Sequence, residues 1–264
     1  MFEALYIGAT GMQAQQLNLD TIANNLANVN TTGFKKARAS FTDLMVKDGS
    51  APSPSFDATE ANLLHLPGLS GVGVAVSSVL KQFDIGTMQQ TGSAFDLAIQ
   101  GDGFIEVLMP DGSRAFSRGG TLKVNSNGLL TTQDGYPLKP NIRVPDGAQN
   151  LTIQSDGQVQ AVVGTSTTPA SLGQIELVRF SNPQGLQAQG NNLYLASDTS
   201  GDAVVTKVGD EGVGPLSQGY LEASNVKMVD EMINMMVAQR TYEANVKIVQ
   251  AADDVLGLVN SLRK

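Results

Sequence analysis

Apolar side chains recur every seven residues near both ends of the chain, which is the spacing of one face of an α-helix. The N-terminal stripe consists of Leu5, Met12, Leu19, Ile22, Leu26 and Val29. The other faces of this segment are mostly Gln, Asn and Ala, although a water-exposed helix usually has a charged outer face. The pattern predicts a helix from Phe2 to about Asn30 that contacts protein on several sides and is stopped by the turn residues Asn28 to Gly33.

The C-terminal segment carries two apolar stripes. The first consists of Met228, Met235, Tyr242, Val249 and Leu256, and the second of Val237, Ala244, Ala251 and Leu258. We predict one helix, capped at Ser224–Asn225 and ending near Leu262. One partner helix cannot cover both stripes, and contacts between unlike surfaces build rings or open filaments. The stripes favour assembly from several copies, and the alternative is an intramolecular helix pair in an ordinary globular protein.

The middle of the chain has the pattern of short strands separated by tight turns. Five Asp-Gly or Asn-Gly pairs, in which glycine adopts a positive φ without steric cost, end in Gly112, Gly128, Gly135, Gly147 and Gly157. The segments between them predict strands at Phe104 to Met109, Thr121 to Val124, Leu151 to Gln154, Val159 to Val163 and Gln174 to Phe180. This spacing is typical of an antiparallel sandwich or barrel. By contrast, residues 48–67 are rich in Ser, Pro and Ala and predict an extended segment.

Together these patterns predict an α+β chain of 264 residues. Long N- and C-terminal helices form a coiled-coil arm beside a central antiparallel all-β domain, and an extended connector joins them. The predicted parts are a terminal helical domain (1–33 and 219–264), the connector (34–95), the β domain (96–205) and a return connector (206–218).

Composition narrows the possible functions. The formal net charge of −8, with 17 basic against 25 acidic residues, gives no basic face for nucleic acid. There is no cysteine, and no His and carboxylate cluster has metal-ligand spacing, so we predict no metal and no cofactor. The single histidine, His65, lacks the neighbours that a catalytic base needs. No apolar run is long enough for a membrane span, and the first residues lack the basic and apolar regions of a cleaved signal peptide.

Two other function classes compete with assembly. A β-rich hydrolase would need two carboxylates flanking a cleft, whereas the acidic residues here lie mostly in Asp-Gly turns or on helices. A monomeric binding module would not need apolar helices at both ends. We therefore predict that the chain is not an enzyme and that its terminal helices serve assembly.

Three segments resemble the signatures of the bacterial flagellar rod and hook protein family. They are NNLANVNTTGFKKARASF (24–41), AIQGDGFIEV (98–107) followed by FSRGGTLKVNSNGLLTTQDGYPL, and QGYLEASNVKMVDEMINMMVAQRTYEANVKIVQ (218–250). Their signature residues are Asn24, Asn25, Asn28, Gly33, Phe34, Gly101, Gly103, Phe104 and Asn225. The three segments cover both ends and the middle, so the resemblance extends over almost the whole chain.

Within this family, the chain length and an added stretch at about residues 46–69 favour the distal rod protein of the basal body; a proximal rod protein is the alternative. The resemblance implies a subunit that is exported unfolded through the flagellar type III apparatus, without a cleaved signal. It would polymerise between the periplasm and outer membrane into a helical tubular drive shaft that transmits torque to the hook. The terminal helices would form the inner tube and the β domain the outer one. The implied partners are further copies, proximal rod proteins, hook protein, and the surrounding peptidoglycan and outer-membrane ring proteins.

Overall fold

The computed structural model describes residues 2–47, 69–163, 168–210 and 212–262. Over these residues the chain forms two long helices, α1 (Phe2–Ala27) and α2 (Met228–Leu262). The strands are β1 (Ala37–Lys47), β2 (Leu69–Lys81), β3 (Met88–Gln90), β4 (Asp96–Ile99), β5 (Phe104–Leu108), β6 (Arg114–Ser117), β7 (Gly119–Val124), β8 (Leu130–Thr132), β9 (Ala148–Ile153), β10 (Gln158–Val163), β11 (Ala170–Gln174), β12 (Leu177–Arg179), β13 (Gln187–Gly190), β14 (Leu193–Leu195), β15 (Val204–Thr206), β16 (Leu216–Gln218) and β17 (Tyr220–Glu222). The predicted α+β class is confirmed.

The first helix ends where the sequence predicts. Residues 28–33 form turns, and the backbone of Gly33 is left-handed, with a φ of +70°. Its N–H donates to the carbonyl oxygen of Glu222 over 2.7 Å. A side chain at Gly33 would strain this left-handed conformation, so glycine both stops α1 and starts its contact with a distant segment.

The predicted cap of the second helix is wrong. α2 begins at Met228, and neither Ser224 nor Asn225 caps it. The Asn225 side chain instead binds the backbone of Lys36, Gln82 and Asp84, and tertiary hydrogen bonds of this kind outweigh a local capping preference.

The chain divides into two compact units. Unit 1 comprises Met1–Asn24, Ala37–Leu80 and Val229–Lys264, and unit 2 comprises Asn25–Lys36 and Lys81–Met228. In unit 1, β1 and β2 form a two-stranded sheet, whereas the sequence predicts only an extended connector there. The predicted extended segment at 48–67, with His65, lies outside the described residues, as does most of the added stretch at 46–69. No described helix is long and apolar enough to cross a membrane.

Unit 2 consists of antiparallel sheets. Their strand orders are β11-β10-β9, β13-β14-β6-β5-β12-β15, β16-β4-β7-β8 and β17-β3. The predicted turns are confirmed, because the glycine of each of the five turns has a positive φ; these are Gly112, Gly128, Gly135, Gly147 and Gly157. Short turns between successive strands explain the antiparallel pairing.

One predicted strand is wrong in its extent. The run from Gln174 to Phe180 is divided between β11, in the three-stranded sheet, and β12, in the six-stranded sheet. Between them the amide of Ile175 donates to the carbonyl oxygen of Gly157 over 2.8 Å. The Ile175 side chain is buried like those of Leu177 and Val178, so the pattern of apolar positions alone does not show where the chain passes from one sheet to the other.

Two apolar clusters hold unit 2 together. The larger cluster fills the space among the sheets and includes Leu97, Ile99, Ile105, Val107, Leu130, Leu138, Ile142, Val159, Ile175 and Leu177. The second contains aromatic rings that meet edge to face, with centroids 4.8 to 6.1 Å apart. Its rings belong to Phe83, Phe104, Phe116, Phe180 and Tyr194.

Candidate assembly surfaces and a buried ion cluster

The two terminal helices touch within unit 1 at glycines of α1. A Cβ built on Gly8 would lie 2.6 Å from Cγ2 of Val249, and one on Gly11 would lie 3.0 Å from Nδ2 of Asn245. A step forward along α1 corresponds to a step backward along α2, so the helices run antiparallel here. Small residues at helix contacts allow the two backbones to approach closely.

One face of α2 is covered and the opposite face is exposed. At about 100° per residue, the two sets of side chains lie on opposite sides of the helix. The covered side carries Glu231, Met235, Ala238, Tyr242, Asn245, Val249 and Leu256, all buried or half-buried. The exposed face of α2 consists of Val229, Met232, Ile233, Met236, Val237, Ile248, Val255, Leu258 and Val259, each between 45% and 68% exposed.

The predicted stripes differ in their surroundings. In the N-terminal stripe, Ile22 is buried and Leu5, Met12, Leu19, Leu26 and Val29 are half-buried. In the first C-terminal stripe, Met235, Tyr242, Val249 and Leu256 are half-buried and Met228 is exposed. The second C-terminal stripe, Val237, Ala244, Ala251 and Leu258, is exposed throughout. The sequence therefore separates an inward stripe from an outward one.

The two-stranded sheet of unit 1 packs on α1 through a further glycine. A Cβ on Gly73 would lie 2.5 Å from Oγ1 of Thr10, and the Val74 amide donates to the same oxygen over 3.5 Å. This sheet also exposes large apolar side chains at Phe41, Leu44, Met45, Val76 and Val79. Exposed apolar groups on neighbouring elements of one unit are typical of a protein interface.

Several signature residues contribute to the packing of unit 2. Phe104 is buried in the aromatic cluster, and Phe34 is buried with Nζ of Lys81 4.2 Å from its ring centroid. A Cβ on Gly101 would lie 2.6 Å from Cα of Gly214, so only glycine permits that backbone contact. The remaining signature residues differ in exposure: Asn25 and Gly103 are buried, Asn28, Gly33 and Asn225 are half-buried, and Asn24 is exposed.

Three charged side chains that the sequence analysis missed meet inside unit 2. We call Lys35, Arg118 and Glu222 the ion cluster; each side chain is at most 2% exposed. Lys35 Nζ donates to Glu222 Oε1 over 2.6 Å and to the carbonyl oxygen of Asp84 over 2.6 Å. Arg118 Nε and Nη2 each lie 3.3 Å from Glu222 Oε2. Charged residues embedded in the motifs TGFK, FSRGG and YLEASN are the signal that could have indicated it.

The ion cluster contains two cations and one carboxylate. Burial lowers the pKa of Lys35, and the neighbouring Arg118 charge lowers it further, while Glu222 raises it. Arg118 Nη1 donates to the carbonyl oxygen of Gly103 over 2.7 Å, whereas Nη2 makes only the ion-pair contact with Glu222 and no hydrogen bond among the described residues. Loss of Glu222 would leave two buried cations without a counter-charge.

One described cavity of unit 2 has two carboxylates in its lining. This cavity, of about 610 Å³, is lined by Arg114, Asp198 and Asp202 among other residues, and both aspartates are exposed to water. A hydrolase would need one carboxyl group in surroundings that keep it protonated. Within the described ranges, no group of three or more His, Asp or Glu residues could hold a metal ion.

Comparison with known proteins shows similarity along the whole chain. Residues 5–35 match the family described as flagella basal body rod protein. Residues 98–161 match the flagellar hook protein FlgE/F/G D1 domain, and residues 217–262 match the flagellar basal body rod FlgEFG protein C-terminal.

Full-length relatives agree with these matches. The chain is 46% identical over 267 residues to the flagellar basal-body rod protein FlgG of Borreliella burgdorferi, with 100% of both chains covered. It is 41% identical over 261 residues to that of Caulobacter vibrioides, with 99% of each chain covered. It is 39% identical over 272 residues to that of Bacillus subtilis, with 100% of both covered.

Proposed function

Because this chain belongs to the flagellar basal-body rod protein family and is a structural subunit of that rod, we propose that its copies polymerise through their terminal helices into a helical tube. The tube is a drive shaft that transmits torque to the hook. The family match and the full-length relatives support a role in the rod. The helix α2, with one covered and one exposed face, supports polymerisation through the terminal helices.

The observation that carries this proposal is the exposed face of α2. Its apolar side chains are roughly half exposed, and covering the remaining surface would contribute about 1 kcal/mol each. The opposite face is already covered, with α1 touching it at Val249 and Asn245. We infer that α1 and α2 pair as a coiled-coil arm and that neighbouring copies cover the exposed face. An interface between unlike surfaces produces an open helical filament.

The parts of the chain then have different radial positions in the tube. Residues 1–33 and 219–264 form the inner layer, and the β domain at 96–205 forms the outer layer. The connectors at 34–95 and 206–218 run between the layers. The apolar side chains that the two-stranded sheet exposes, such as Met45 and Val79, support contacts between the connector and adjacent copies.

The partners follow from the place of the subunit in the basal body. Besides its own copies, we infer contacts with proximal rod proteins, hook protein, and the peptidoglycan and outer-membrane ring proteins. We also infer that the chain reaches the periplasm unfolded, through the flagellar type III export apparatus. The full-length identity to relatives that bear one rod-protein name favours the distal rod over a proximal one.

Charged substitutions on the exposed face of α2 test the proposal. In Val237→Lys and Leu258→Lys, an ammonium group replaces a side chain that is at least 60% exposed, so the monomer should keep its helix content by circular dichroism. Electron microscopy of concentrated wild-type protein should show tubes, and both variants should remain monomeric because burial of an unpaired charge is costly.

Gln239→Lys is the matched control. It adds the same charge at an exposed polar position of α2 without removing apolar surface, and it should polymerise. Tubes from all three variants would show that the exposed face of α2 is not an assembly surface. Tubes from none of the chains, including the wild type after addition of isolated basal bodies, would contradict self-polymerisation.

A further inference from the structure

The chain passes between unit 1 and unit 2 at four points, after residues 24, 36, 80 and 228. In unit 2, the segments that lead to these points are residues 25–36, the start of the run 81–228, and its end. These segments lie far apart in sequence, yet two side chains on the last one bind the other two. The two side chains are Glu222 and Asn225.

Glu222 joins the segments with its carboxylate and its backbone. Oε1 accepts hydrogen bonds from Lys35 Nζ over 2.6 Å and from the Gly86 amide over 2.8 Å. The backbone carbonyl accepts from the Gly33 amide over 2.7 Å. Oε2 faces Arg118, which anchors the carboxylate to the β domain. One residue therefore ties the first and second segments to the third.

Asn225 repeats this connection with an uncharged group. Its Oδ1 accepts from the Lys36 amide over 2.7 Å. Its Nδ2 donates to the carbonyl oxygens of Gln82 over 2.8 Å and Asp84 over 3.2 Å. Lys36 and Gln82 lie next to two of the passage points, so the amide group holds the backbone where it leaves unit 2.

We propose that Glu222 and Asn225 form a clasp that fixes the directions in which the chain leaves unit 2 and thereby carries load between the helices and the β domain. This load-bearing role rests on the proposed rod function. A peptide segment without such contacts can change direction by rotation about its φ and ψ angles. Segments bound to the same carboxylate and the same amide cannot change direction independently of one another. A twisted tube then deforms less at these passages, and the rod stays stiff.

The competing explanation is that these residues only stabilise unit 2. Glu106 offers a control, because it is also buried in unit 2, with its Oε1 3.0 Å from Lys139 Nζ, but it binds none of the three segments. Asn225→Ala removes part of the clasp without leaving a buried charge, so it remains informative if Glu222→Gln fails to fold.

Hydrogen exchange of the full-length monomer tests whether the clasp holds the three segments. The Lys36 amide donates to Asn225, and its exchange should accelerate about tenfold in Asn225→Ala, as expected for the loss of one hydrogen bond. The Gly86 amide should respond in the same way to Glu222→Gln. Glu106→Gln should leave both amides unchanged. Unchanged exchange at Lys36 and Gly86 in the clasp variants would refute the clasp.

Electron microscopy of assembled rods tests whether the clasp carries load. Rods of Asn225→Ala should bend more than rods of wild type or Glu106→Gln at equal length. Faster exchange combined with rods as straight as the wild type would show that the clasp fastens the segments but carries no load. Failure of the wild-type chain to form rods would instead contradict the proposed function, and exchange alone would then decide whether the clasp exists.

Discussion

At the scale of single residues, the interior of unit 2 is unusual for its buried polar groups. Tyr194 lies in the aromatic cluster with 2% exposure, close to the ion cluster. The pKa of Tyr194 is raised to about 12, mainly by burial; the Arg118 charge lowers it and the Glu222 charge raises it. The phenol is therefore held neutral well into the alkaline range.

This shift predicts a loss of stability at alkaline pH. The unfolded chain releases the Tyr194 proton near the ordinary pKa of 10.0, and the folded chain only near 12, so the free energy of unfolding decreases as pH rises between these values. The shift corresponds to about 2–3 kcal/mol. Urea denaturation of wild type and Tyr194→Phe between pH 9 and 12 should show a steeper decline for the wild type. Parallel curves would show that Tyr194 titrates normally.

The ion cluster predicts unequal effects for its members. Glu222→Gln leaves Lys35 and Arg118 as two buried cations and should cost about 3–5 kcal/mol of unfolding free energy. Lys35→Met leaves one cation facing one carboxylate and should cost about 1–2 kcal/mol, mainly from the lost hydrogen bond to Asp84. Urea unfolding measures both, and an equal cost for the two variants would contradict this charge balance.

At the scale of elements, the close approach of α1 and α2 depends on small residues. Gly8→Ala would place a methyl group 2.6 Å from Val249 Cγ2 and should destabilise the helix pair by about 1–3 kcal/mol. Amide exchange in α1 and α2 reports this loss directly.

A second glycine provides the control for helix propensity. A Cβ built on Gly257 of α2 would meet no described atom within 4 Å, so Gly257→Ala should stabilise the helix by about 0.5–1 kcal/mol. If Gly8→Ala also proved stabilising, the helices would be farther apart than described.

The same elements show what sequence can predict. Both helices and the five turns follow from local rules: a seven-residue apolar repeat suits a helix, and Asp-Gly pairs suit tight turns. The start of α2 could not be predicted, because Asn225 has better partners at Lys36 and Gln82 than its own helix. The pairing of β1 with β2 and the division at Ile175 likewise depend on segments distant in sequence.

The candidate sites also differ in whether the sequence alone predicts them. Spacing alone separates the covered stripe of α2 from the exposed one, since side chains on one helix have fixed angular positions. The ion cluster could not be found in this manner, because Lys35, Arg118 and Glu222 come together only through the sheet topology. No periodic pattern connects three positions that lie so far apart in the chain.

At the scale of the whole molecule, unit 2 has an apolar interior of its own. Both apolar clusters of unit 2 lie between residues 81 and 228. A fragment of residues 25–228 should therefore fold, with a free energy of unfolding of unit 2 within about 1 kcal/mol of its value in the full chain. Calorimetry and near-ultraviolet circular dichroism can test this. A fragment without a cooperative transition would show that unit 2 depends on the terminal helices.

The strand pairing of unit 2 also determines how early its sheets can be completed as the chain emerges. β3 and β4 near its beginning pair with β17 and β16 near its end, so Leu97 lies beside Gln218, roughly 120 residues later in the chain. A polypeptide that emerges with its N-terminus first cannot complete these sheets until its last quarter has appeared. Glu222 also comes later in the chain than Lys35 and Arg118, the two cations that it binds. The topology thus makes the last pairings of these two sheets wait for residues 216–222, so unit 2 completes its fold only when nearly the whole chain is available.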